Sequence, residues 1–130
     1  MIGLDTNILI RYIAKDDPVS GPKASQTMAS LTAQNPGWVS ITAMAEMVWV
    51  LTRRYRLNRK DLANLLKELL ARPEIIVENE EVVKGALDLY NAGAGDFSDC
   101  LVSCSGKIAG CAATLTFDRK AARDASITLA

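Results

Sequence analysis

The chain begins Met1-Ile2-Gly3-Leu4-Asp5-Thr6-Asn7-Ile8-Leu9-Ile10-Arg11-Tyr12-Ile13-Ala14, and this opening decides how the rest is read. Met1 to Leu4 is a short apolar run that ends at an acid, consistent with a buried strand. From Thr6 the apolar residues Ile8, Leu9, Tyr12 and Ile13 fall at helical spacing. A strand therefore runs directly into a helix, with Asp5 at the junction.

The same alternation continues along the chain. Residues 15–22 contain two prolines and a glycine and read as a loop, Lys23 to Gln34 as a polar helix, and Asn35-Pro36-Gly37 as a turn. Trp38 to Ser40 reads as a strand, Ile41 to Arg54 as a strongly apolar helix, and Asp61 to Ala71 as an amphipathic helix ended by Arg72-Pro73. Ile75 to Val77 is a β-branched run, Glu80 to Asn91 a helix closed by Ala92-Gly93-Ala94-Gly95, and Phe97 to Ala109 a further helix. Cys111 to Thr116 is strand-like, a short helix lies near Arg119 to Arg123, and Ser126 to Leu129 is a last strand. The strands are short and apolar without polar alternation, which predicts a single α/β domain over residues 1–130, a central, mostly parallel sheet covered by helices.

Composition narrows the chemistry. With 130 residues, 49% hydrophobic and 23% charged, the chain has ordinary globular balance and is not disordered. Lys plus Arg equals Asp plus Glu, so neither a polybasic nucleic-acid binder nor an acidic tail fits. The count of His is 0, which excludes Ser-His-Asp and Cys-His catalysis and every His-containing zinc site. Cys100, Cys104 and Cys111 are an odd number, too few for a structural zinc site. Their spacing puts them on one helical stripe, as small buried hydrophobes in a reducing, cytoplasmic setting. No apolar run approaches the length of a membrane span.

The acids stand in unusual places. Asp5 follows the first strand, where ligands bind in open α/β sheets, although a helix N-cap would explain it as well. Glu46 interrupts Ala43-Met44-Ala45-Glu46-Met47-Val48-Trp49, a helix that looks apolar on nearly every face. A carboxylate buried there must be protonated, paired with an arginine or bound to a cation. Asp96 and Asp99 open a helix after a glycine-rich approach, and Asp118 follows an apolar strand; helix capping accounts for each singly. If the strands before Asp5 and Asp118 are parallel neighbours, both acids face one sheet edge. Four carboxylates there would make an all-oxygen site suited to Mg²⁺ or Mn²⁺, a usual setting for phosphodiester hydrolysis.

Four segments, LDTNILIRY (4–12), ITAMAEMVWVLTRRY (41–55), AGDFSDCLVS (94–103) and TLTFD (114–118), resemble in the same order the PIN-domain proteins, and specifically the VapC-type toxins. The resemblance implies that Asp5, Glu46, Asp99 and Asp118 are the catalytic acids and metal ligands, with Asp118 the least uniformly used. Asp96 is expected as an auxiliary group, and Thr6 and Thr116 as hydroxyls that orient carboxylates. It implies a Mg²⁺- or Mn²⁺-dependent endoribonuclease that attacks RNA with a metal-activated water, leaving a 5′-phosphate and a 3′-hydroxyl. It also implies a homodimer and a small VapB-like antitoxin as partners.

The basic junction Arg53, Arg54, Arg56, Arg59 and Lys60 is a candidate contact for RNA phosphates, or simply a solvated helix end. Leu62, Leu65, Leu66 and Leu69 read as core or partner surface. Three alternatives stand beside the ribonuclease: a non-catalytic PIN-like module binding RNA or protein, a DNA-directed nuclease of the same fold, and a phosphate-transfer regulator. The last would need adjacent acids after its first strand and a lysine after its last; Asp5 stands alone, and Asp118-Arg119-Lys120 is a weak match.

Overall fold

The computed structural model describes residues 1–124 and 127–130. Two compact units make up the chain: Met1–Asn58 with Glu68–Glu78, and Arg59–Lys67 with Asn79–Ala130.

The first unit is built on three parallel strands, β1 (Ile2–Gly3), β2 (Gly37–Val39) and β3 (Ile75–Val77), in the order β1-β2-β3. Ile2 stands opposite Gly37, and Gly37 opposite Ile75. Gly37 leaves room for its neighbours: a Cβ there would meet Leu4 Cδ1 at 2.7 Å and Leu31 Cδ1 at 2.9 Å, so both leucines would have to shift. Helices α1 (Thr6–Ala14), α2 (Ser20–Ala29) and α3 (Ile41–Arg53) cover the sheet. Leu9, Met28, Val39, Met44, Met47 and Leu51 form its fully buried centre. Arg72 ties the strand β3 approach to α1: its Nε donates to Glu74 at 2.6 Å and its Nη1 to Tyr12 at 3.1 Å.

Helix α2 starts and ends earlier than the sequence suggests. Asp17 Oδ1 accepts from both Val19 N and Ser20 N, so the helix is capped from outside its own N-cap position. Pro22 then falls in the first turn, where a missing N–H breaks no helical bond. After Ala29, Thr32 and Asn35 exchange backbone hydrogen bonds of 3.2 Å and close a turn where helix was expected.

The second unit holds the start of α4 (Arg59–Ala71), then α5 (Glu80–Asn91), α6 (Phe97–Ile108), β4 (Leu115–Thr116), α7 (Arg119–Asp124) and β5 (Thr128–Leu129). Helix α4 opens at Arg59, so Arg59 and Lys60 belong to it and not to a junction. Its Leu62 and Leu66 are fully buried with Val83 and Cys100. Helices α5 and α6 approach closely because Gly85 has no side chain: a Cβ there would lie 3.3 Å from Cys104 Sγ. Of the expected last strand, Ser126 lies outside the described residues.

The chain is thus mixed α/β with parallel strands, as the alternation predicts. Among the described residues the strands form two ladders rather than one: β1 pairs with β2, and β4 pairs in parallel with β5. Asp5 and Asp118 therefore do not follow neighbouring strands. Of the strand-like run before the Asp118 turn, the described pairing covers Leu115 and Thr116, opposite Thr128 and Leu129.

Candidate functional site

In the first unit, the carboxyl ends of all three strands carry polar residues. Asp5 follows Leu4 beyond β1 and is the N-cap of α1, with φ −76° and ψ 158°. Its Oδ1 accepts from Thr6 N at 2.8 Å. Ser40 follows β2 and caps α3, accepting from Ala43 N at 3.0 Å. Glu78 follows β3, and its Oε1 accepts from Ile41 N at 2.9 Å, a second group on the α3 N-terminus. Sequence reading missed Glu78, whose partner is a backbone N–H on a distant segment.

Thr6 is the one buried polar side chain among the described residues, 6% exposed. Its hydroxyl donates to Glu46 Oε2 at 2.8 Å. The end of β1 and the middle of α3 are thus joined by one hydrogen bond, with Asp5 as the next residue along.

Glu46 is exposed, which corrects the expectation that its helix is buried all round. The buried face of α3 is Ala43, Met44, Met47, Val48 and Leu51. Thr42, Glu46, Trp49 and Arg53 share the exposed stripe at helical spacing, and Trp49 is 55% exposed. Glu46 is therefore an accessible carboxylate steered by a buried hydroxyl, not a charge trapped in a core.

In the second unit, Asp96 caps α6, its Oδ1 accepting from Asp99 N at 2.8 Å. Asp99 is half-buried in the first turn of that helix. Loss of solvent, then the negative charge of Asp96 with a hydrogen bond to it, then Asp118, hold the Asp99 carboxyl above its ordinary range; Lys120 acts in the opposite sense. Asp118 N donates to Thr116 Oγ1 at 3.0 Å, and Asp118 Oδ1 accepts from Lys120 N and Ala121 N at 2.9 and 3.2 Å. Thr116 thus shapes the turn that presents Asp118. Lys120 is the cation beside Asp99.

The donor chemistry of both groups is carboxylate and hydroxyl oxygen, which fits a hard divalent cation. Cys100 and Cys104 do not compete as ligands: burial pushes the Cys100 thiol up to about 11 and the Cys104 thiol above its usual value. Cys111 is exposed and lies beyond the end of α6, so only two cysteines share the expected buried stripe. Among the described residues, no three acids or cysteines are drawn close enough to enclose a metal ion.

The basic candidates divide. Arg53 ends α3, Arg54 is its C-cap, and Arg56 has left-handed backbone at φ 54°; all three are exposed. Arg59 instead points inward within the second unit, donating from Nε to Tyr90 O at 2.8 Å and from Nη2 to Gly95 O. Among the described residues, no helix is long and apolar enough to cross a membrane.

The family model for the PIN domain matches residues 2–126. A VapC ribonuclease of Aquifex aeolicus (strain VF5) is 25% identical over 118 residues, covering 90% of this chain and 87% of the relative.

Proposed function

The chain belongs to the PIN-domain family, and from that premise we propose that it is a divalent-metal-dependent endoribonuclease, the toxin of a VapBC-type pair. The observation that carries this reading is the Thr6–Glu46 hydrogen bond of 2.8 Å beside Asp5. It holds an accessible carboxylate in a fixed pose, which stability alone does not require of an exposed glutamate. Similarity to a VapC ribonuclease supports RNA as the substrate.

In this reading Asp5, Glu46, Asp99 and Asp118 are the carboxylates that hold Mg²⁺ or Mn²⁺. A bound cation would supply acidity to water and positive charge to the phosphodiester. The chain's own residues do the rest. Thr6 orients Glu46, Asp96 fixes the first turn of α6 around Asp99, and Thr116 sets the turn before Asp118. With no His in the chain, no imidazole carries a proton. Arg53, Arg54 and Arg56 contact RNA phosphates. The working form is a cytoplasmic homodimer restrained by a small VapB-like antitoxin.

The test is cleavage of total RNA by the purified chain with Mn²⁺, alongside Asp5→Asn and Glu46→Gln. Cleavage by wild type and none by either folded variant is the expected result. Equal Mn²⁺-dependent cleavage by all three would overturn the assignment, and cutting of DNA but not RNA would replace the substrate.

A further inference from the structure

The sequence places Arg59 in a basic cluster open to RNA, and the structure gives it a different task. Its guanidinium donates to two backbone carbonyls, Tyr90 O at the end of α5 and Gly95 O. The guanidinium carbon also lies 4.1 Å from the centroid of the Tyr90 ring. That ring meets Phe97 edge-on, with centroids 5.8 Å apart. One cation thus bridges the last turn of α5 to the residue immediately before Asp96, with the Tyr90 ring against it and Phe97 against that ring.

The segment it holds needs holding. Gly93 and Gly95 have φ of +87° and +100°, so the loop is made of residues with wide backbone freedom. Cys100 Sγ donates to Ala94 O at 3.4 Å, a weak bond. Directly after Gly95, Asp96 caps α6 through the Asp99 amide. A shift of Gly95 is passed to Asp96 and through it to Asp99.

We propose that Arg59 is a positioning residue that locks the Gly93–Gly95 loop and thereby fixes the Asp96 and Asp99 carboxylates for divalent-cation binding; this rests on the ribonuclease reading. The fork geometry explains why arginine stands here. Lysine carries the charge but cannot reach two carbonyls in fixed directions while stacking on a ring.

The experiment uses the full chain, with Mn²⁺ itself as probe, in wild type, Arg59→Met, Arg59→Lys and Lys60→Met, and with Val83→Ala as a core variant that lowers the melting midpoint. Mn²⁺ affinity is read by electron paramagnetic resonance and RNA cleavage as kcat and KM. Amide exchange at Asp99 is followed on the metal-free chain. Arg59→Met is expected to weaken Mn²⁺ binding about tenfold or more and to lower kcat, with KM for RNA unchanged. Asp99 amide exchange should rise about tenfold in the same variant. Arg59→Lys should recover part of each loss, while Lys60→Met and Val83→Ala leave Mn²⁺ affinity unchanged. If Arg59→Met does not fold, the same reading is taken from Arg59→Lys, for which unchanged exchange and affinity overturn the proposal. A raised KM with unchanged Mn²⁺ affinity overturns it in favour of phosphate contact. Wild type that neither binds Mn²⁺ nor cuts RNA defeats the ribonuclease reading, whereas unchanged Asp99 exchange in Arg59→Met defeats the positioning role by itself.

Discussion

The Thr6 hydroxyl donates to Glu46 Oε2 at 2.8 Å across a separation of 40 residues in sequence. The donor is buried and the acceptor exposed. A buried hydroxyl without a partner is destabilising, whereas an exposed carboxylate without one is simply hydrated. The bond is therefore obligatory for Thr6 and optional for Glu46, which identifies Thr6 as the fixed member.

Thr6→Val keeps the shape and removes the donor. It should cost about 1 kcal/mol or less, because Glu46 regains water and the site becomes apolar. RNA cleavage should nevertheless fall about tenfold, since the carboxylate loses its guide. Thr6→Ser should recover most of it. Paired thermal melts and cleavage assays check this, and cleavage at the wild-type rate by a well-folded Thr6→Val protein would contradict it.

Removing the metal should stop cleavage, and returning Mn²⁺ should restore it. Mn²⁺ at a hundredfold excess over its dissociation constant should stabilise the folded chain by about 2.7 kcal/mol. Asp5→Asn, Glu46→Gln and Asp99→Asn should each lose most of that gain and nearly all activity. Asp118→Asn should lose less, and its fold should hold because two of its bonds cap α7 and an amide oxygen can make them. Melting curves with and without Mn²⁺ rank the four.

Asp96 separates capping from charge. Asparagine caps a helix as well as aspartate does, whereas alanine cannot. Asp96→Ala should lower stability by about 1 kcal/mol, and Asp96→Asn should stay near wild type. If cleavage follows stability across the pair, Asp96 acts only through the α6 cap. A loss confined to catalysis in Asp96→Asn would give its charge a part of its own.

Burial raises the Cys100 thiol to about 11. Below the unfolded thiol's value, near 8.5, both states keep the proton and its contribution to stability is fully present. Between there and about 11 only the unfolded chain ionises. Stability should then fall as pH rises, by up to about 1.4 kcal/mol per pH unit from this group. Cys100→Ala should flatten that slope in denaturant titrations at several pH values. At neutral pH in the native state, only exposed Cys111 should react with iodoacetamide, as peptide mapping of the alkylated protein would show.

Several elements are legible because one local signal fixes them. The switch from an apolar run to helical spacing around Asp5 gives β1 and α1, and Ile75 to Val77 gives β3 to the residue. Pro22 misleads because a proline in a helix's first turn looks, in sequence, like a loop. Glu46 looks buried in sequence because a run of apolar neighbours does not say which way each one faces: Trp49 is as apolar as Met47, yet it lies on the exposed stripe. Arg59 is unreadable because its partners are carbonyls 31 and 36 residues away, and a carbonyl has no sequence signature. The acids stand out by their places at strand and helix ends, and Thr6 is expected to orient a carboxylate, but that its partner is Glu46, 40 residues away, only the fold shows.

In the three-stranded sheet, spatial order and sequence order are the same. If the strands pair in the order of synthesis, β2 adds to the free edge of β1 and β3 to the free edge of β2. No strand has to be inserted between two that are already paired, so the sheet grows outward in the direction of translation. Its central strand, β2, is also the one on which both neighbours depend, so the register Gly37 adopts against Ile2 is inherited by Ile75. An error at that step would be copied into the rest of the sheet rather than repaired by it.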